Sequence, residues 1–131
     1  MEKPTKTDES FVWEPIELHE TSDTNAEWKE IMSRRLLGAA QFEIHCWHEE
    51  TKEIRMALRF GTIKDFPWDY GTVISGPVTQ EFQEYLLSLP KPTNCEVYNK
   101  MTPFFSIFLD DEFSSEHYGT ELNQKKRVRS E

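Results

Sequence analysis

Residues 41–61 read QFEIHCWHEETKEIRMALRFG, and the pairing of this stretch governs the rest of the fold. Phe42, Ile44, Cys46 and His48 alternate with their neighbours, and Ile54, Met56, Leu58 and Phe60 do the same after residues 50–52. Alternation with a period of two puts one row on each face of a strand. The stretch therefore predicts an antiparallel hairpin over residues 41–61. With both apolar rows on one face, Glu43 falls opposite Arg59 and Trp47 opposite Arg55, an ion pair and a cation–π pair.

Upstream of it the spacing predicts a helix over residues 25–37. Thr24 and Glu27 have the spacing of a capping box, Trp28, Ile31, Met32 and Leu36 make one helical face, and Gly38 offers a stop. Before that helix, residues 11–18 (FVWEPIEL) can dock on a sheet, but Pro15 cannot donate to a ladder, so an edge or irregular segment is expected. Downstream, residues 72–75 read as a third strand. Thr79 then caps a second helix with Phe82, Tyr85, Leu86 and Leu89 on one face, ended by Pro90. A further strand is placed at residues 96–98 and another at 104–109. The fold class is α+β: an antiparallel sheet of about four to five strands with two helices packed on one face of it. Residues 1–10 read as a disordered end, 11–112 as the single domain, and 113–131 as a polar tail closed by a short basic run.

A chain of 131 residues holds one hydrophobic core. Nine Phe, four Trp and four Tyr make that core rich in large rings. No apolar run is long enough to cross a bilayer, and the first ten residues have no apolar stretch of the signal-peptide kind, which points to a cytoplasmic protein with no membrane role. The net charge is -9, carried by residues 11–112, where acidic side chains outnumber basic ones two to one. Such a surface repels nucleic-acid phosphate and attracts basic partners, although solubility alone also selects acidic surfaces. A monomer or weak dimer is expected.

Motifs for chemistry are sparse. Cys46 and Cys95 lack CxxC spacing and read as reduced thiols. His45 points away from Cys46 and His48 on a strand, so no metal site forms there and no cofactor is expected. No phosphate-binding glycine loop or nucleophile elbow is present, which argues against an enzyme. The notable cluster is Asp65, Phe66, Pro67, Trp68, Asp69 and Tyr70, whose mixture of rings and acids has the composition of a contact surface. Trp68 fits either exposure or packing beneath the sheet. Trp47 sits on the polar face of its strand beside Glu49, either covered or available to a partner. Asp110, Asp111 and Glu112 either end the last strand or join Glu49, Glu50 and Glu53 in one acidic patch. The candidate partner-binding set is thus Trp47, Glu49, Glu50, Glu53, Asp65, Trp68, Asp69, Tyr70, Asp110, Asp111 and Glu112.

The segments EWKEIMSRRLLGAAQFEIHCWHEE, IRMALRF, FPWDYGTVISGP and EFQEYLLSLP, in that order, resemble the immunity proteins of bacterial contact-dependent growth inhibition systems. The marks of the resemblance are Trp28, Leu36, Leu37 and Gly38, the alternating strands, and Phe82, over about residues 27–89. It implies a cytosolic antidote that binds a cognate protein toxin domain, often a basic nuclease, and blocks it without chemistry of its own. An acidic adaptor or regulator is the alternative reading, and a small hydrolytic enzyme using acidic residues a further one.

Overall fold

The computed structural model describes residues 10–17, 25–93 and 99–128. These form β1 (Ser10–Ile16), α1 (Ala26–Leu37), β2 (Gln41–Trp47), α2 (Thr51–Leu58), β3 (Thr62–Ile63), β4 (Gly71–Pro77), α3 (Gln80–Ser88), β5 (Ser106–Leu109), β6 (Phe113–Glu116) and β7 (Glu121–Val128). The strands make one sheet in the order β1-β7-β6-β5-β2-β4-β3, antiparallel at every pairing. The α+β class holds, with seven strands and three helices among the described residues in place of four to five and two.

The core lies on one face of this sheet. Phe42, Ile44 and Cys46 of β2, Ile74 of β4, Ile107 and Leu109 of β5, Phe113 of β6 and Leu122 of β7 meet Trp28, Ile31, Met32 and Leu36 of α1, Ala57 of α2, and Phe82 and Leu86 of α3 in a single cluster. The register explains the selection. Phe42 stands opposite Leu109 and Ile44 opposite both Ile74 and Ile107, so the buried rows coincide across the sheet. Phe42 and Phe82 stack with centroids 4.1 Å apart and rings nearly parallel, fixing α3 over the sheet. The Cys46 thiol is free, and burial, reinforced by the charges of Glu50 and Glu53, pushes it up to about 12, which leaves it an inert packing group. Cys95 and the strand expected at residues 96–98 lie outside the described residues.

Three expectations are corrected. Residues 51–58 are helix, so no hairpin spans 41–61, and β2 pairs with β4 and β5 instead. Lys52, Glu53, Arg55, Met56, Ala57 and Leu58 are all good helix formers, against only two β-branched residues in the helix, Thr51 and Ile54, and that preference outweighs the apparent alternation. The cross-strand partners change with it: Arg59 lies over the rings of Phe60 and Tyr85. Residues 113–128, expected as tail, supply β6 and β7 inside the sheet. Before α1 the Asn25 side chain makes no cap but donates to the Met101 carbonyl, and Thr24 of the expected capping box lies outside the described residues. By contrast α1, β4 and α3 form where the spacing put them. Thr79 caps α3 by accepting the Phe82 N–H at 3.0 Å, and β1 with its Pro15 takes a sheet edge.

Candidate functional site

The three described helices all pack into the core cluster, and among the described residues no helix covers the second face of the sheet around β2. Glu43, His45 and Trp47 alternate with the core row and point to this side, where the register places them beside Ser75, Val73 and Gly71 of β4 and, for the first two, Phe108 and Ser106 of β5. The segment between β3 and β4, residues 64–70, folds over them. Its Phe66 and Trp68 rings lie 5.5 and 5.7 Å from the His45 ring, Phe108 closes the third side at 4.9 Å, and Trp68 and Trp47 meet at 5.1 Å. Trp47 also packs on Phe105 at 4.9 Å. A secondary aromatic layer thus forms on the face opposite the main core.

This layer decides which rings of the predicted cluster can reach a partner. Trp47 and Trp68 are half-buried against each other and hold the segment in place. Tyr70 is 71% and Phe66 42% exposed, and Asp65 and Asp69 are exposed beside them. The 47–50 turn lies against the same end of the sheet, because the Tyr70 carbonyl accepts the His48 N–H at 3.1 Å and the Asp69 carbonyl lies 2.9 Å from His48 Nε2. That contact brings exposed Glu49 to the same rim. Asp65, Phe66, Asp69, Tyr70 and Glu49 therefore share one ridge, on which acids alternate with rings.

The remaining predicted carboxylates behave differently. Glu50 is turned inward, accepting from the Trp47 N–H at 2.9 Å and from the Tyr118 hydroxyl at 2.6 Å, so it ties this turn to the loop after β6. Glu53 is half-buried. Asp110, Asp111 and Glu112 form the β5–β6 turn at the far end of β2, roughly 20 Å away along a seven-residue strand, so no single acidic patch joins them to Glu49, Glu50 and Glu53. Asp110 and Asp111 have φ of 54° and 56°, a left-handed conformation that Asp tolerates better than most residues. The Asp110 carboxylate accepts the Ala40 and Gln41 N–H groups, each at 2.8 Å, and so fastens the turn to the start of β2.

One arrangement escaped the sequence reading. Glu43, 23% exposed, accepts from Lys64 Nζ at 2.7 Å through one oxygen and lies 2.7 Å from His45 Nε2 through the other. Burial pushes this carboxyl up, but the hydrogen bonds from Lys64 and His45, with their charges, outweigh it and hold the group below its ordinary 4.5. The Lys64 contact pins the first residue of the 64–70 segment to the sheet. A lowered carboxyl pKa stabilises the fold above the unfolded value and ceases to do so as pH falls through the folded one. Urea midpoints should therefore drop as pH is lowered from 4.5 into the acid range, and Glu43→Gln should flatten that part of the profile. An identical acid profile in the variant would show that Glu43 carries no such linkage.

Beyond Phe66 a cleft of about 560 Å³ runs along β2 and β5 toward the β5–β6 turn, bordered by Glu43, His45, Lys64, Phe66, Phe108 and Asp111. No group of three or more His, Cys, Asp or Glu side chains among the described residues is arranged to hold a metal ion. No helix among them is long and apolar enough to cross a membrane. Compared with known proteins, the chain matches no family model, no curated protein and no solved structure.

Proposed function

We propose that this chain is an immunity-type inhibitor that acts in the cytoplasm, binding a cognate basic, nuclease-type toxin domain and occluding it without catalysis of its own. The observation that carries the reading is the ridge of Asp65, Phe66, Asp69, Tyr70 and Glu49, exposed on a segment that Trp68 and the Lys64–Glu43 contact hold against the sheet. A preorganised loop loses little conformational freedom on binding, so its contacts translate more fully into affinity. Aromatic rings supply the desolvated area and the carboxylates steer a basic partner to it. The net charge of -9 acts in the same direction at longer range.

The test uses the cognate toxin domain, which an immunity role expects to be encoded immediately upstream of this gene, with binding followed at two salt concentrations. Replacing Asp65, Asp69 and Glu49 by their amides should slow association and flatten its salt dependence, with little change in folding because exposed carboxylates contribute little to stability. Tyr70→Ala should act mainly on dissociation, at a cost of about 2 kcal/mol or more. Unchanged association and salt slope in the triple variant would rule out the electrostatic part of the proposal, and a metabolic operon around the gene would count against an immunity role altogether.

A further inference from the structure

We infer that the cleft between Phe66 and Phe108 is a receptor for one arginine side chain of the protein partner, an inference that rests on the reading of this chain as a binder of basic proteins. The walls supply the first argument. Phe66, Phe108 and the His45 ring between them line an open cleft of about 560 Å³, ample for a guanidinium and its aliphatic stem. A guanidinium is planar and weakly hydrated, and stacks on ring faces more readily than an ammonium does.

Charge supplies the second. Glu43, Asp110 and Asp111 border the cleft together with the ammonium of Lys64, and Lys125 reaches Asp111 at 3.3 Å. Lys64 and His45 are both engaged by Glu43, so Asp111 is the least neutralised carboxylate at the cleft. Asp111 is the carboxylate best placed to accept a fork of two N–H groups. Its side chain is 86% exposed and its contact with Lys125 is long, whereas Asp110 already accepts two backbone N–H groups and Glu43 is engaged through both oxygens. The cleft is continuous with the binding ridge through Phe66, so one partner surface can engage both. A phosphate or carboxylate ligand would meet the same three carboxylates and is disfavoured.

The test needs no toxin. N-acetyl-arginine amide is titrated into the ¹⁵N-labelled full chain, with N-acetyl-citrulline amide, of the same shape but uncharged, and N-acetyl-lysine amide as comparisons. Saturable shifts confined to the amides of residues 41–45, 64–66 and 106–111 are expected with the arginine compound, weaker ones with lysine and none with citrulline. Phe66→Ala, at an exposed position, should weaken the arginine effect about fivefold, the equivalent of one cation–π contact, and Asp111→Asn should weaken it as well. Shifts scattered over the acidic surface, equal responses to arginine and citrulline, or indifference to both substitutions would overturn the arginine receptor. None of those results touches the ridge, whose own failure would show only in the salt-dependent binding of the toxin domain.

Discussion

Trp28→Ala is expected to lower folding stability by about 3–5 kcal/mol, the cost typical of truncating a large buried ring. Trp28 is 2% exposed in the first turns of α1. Its Nε1 donates to Ser115 Oγ at 3.0 Å, and a Cβ placed on Gly119 would come within 2.8 Å of that nitrogen. The ring therefore joins α1 both to β6 and to the turn between β6 and β7. Truncation opens a cavity and leaves the fully buried Ser115 hydroxyl without this partner. Trp28→Phe separates the two effects: most of the volume is kept, and the loss falls toward the 1–3 kcal/mol of an unpaired buried polar group. Urea denaturation measures both. A change of less than about 0.5 kcal/mol for the alanine variant, the level of an ordinary surface substitution, would mean that residues 113–128 do not pack on α1 as described.

Gly71→Ala should cost about 1–3 kcal/mol or more and should dislodge the aromatic layer under the exposed ridge of residues 65–70. A Cβ at Gly71 would lie 2.2 Å from Trp68 Cζ3 and 2.5 Å from the Cys46 carbonyl oxygen. The indole can swing away but the β2 backbone cannot, so the strain is shared between a displaced Trp68 and a distorted β2–β4 ladder. Tryptophan fluorescence should shift along with the unfolding midpoint. Combining the change with Trp68→Ala should cost less than the two single changes added together, because one of the two clashes disappears. Gly38→Ala is the control, since nothing stands within 4 Å of its would-be Cβ. Equal tolerance of alanine at residues 38 and 71 would contradict the close packing of Trp68 over β4.

The elements that were legible in the sequence carry their own signals. In α1 and α3 the buried residues recur at helical spacing, and Thr79 announces the start of α3. β2 alternates along its whole length. Residues 51–60 misled because Ile54, Met56, Leu58 and Phe60 can mimic alternation, while the helix buries Ala57 and leaves Leu58 38% exposed. Composition could have corrected this, since six of the eight residues 51–58 are favourable helix formers and only Thr51 and Ile54 are β-branched. The reading of β6 and β7 as a tail has a different origin. Among the described side chains of β7 only Leu122 is buried in the core, and the others are polar, so the strand has the composition of a solvated end.

The exposed ridge was legible from composition, since acids and rings mixed in one turn are uncommon in a core. Which rings point outward was not, because that depends on Gly71 and His45 lying beneath Trp68. The Glu43–Lys64–His45 contacts join groups 21 residues apart on separate elements, and no periodicity reports them. The proposed union of Asp110, Asp111 and Glu112 with Glu49, Glu50 and Glu53 failed for the same reason: only the β2–β5 register shows that they occupy opposite ends of the sheet.

The pairing of β1 with β7 sets the order in which the molecule can be assembled. Ser10 lies beside Val128 and Ile16 beside Leu122, so of the strands described the first to be synthesised waits for the last before it has a neighbour. Until residues 121–128 emerge, β6 also presents a bare edge, and seven residues of β1 have no ladder to join. Closing a sheet through contacts more than a hundred residues apart makes its completion slow compared with helix formation. During synthesis the half-built sheet is open to strands of other chains along both β1 and β6. Translation pauses between the codons of β6 and those of β7 would lengthen that exposure, so yield in the cell should depend on how quickly β7 is delivered as well as on the stability of the finished protein.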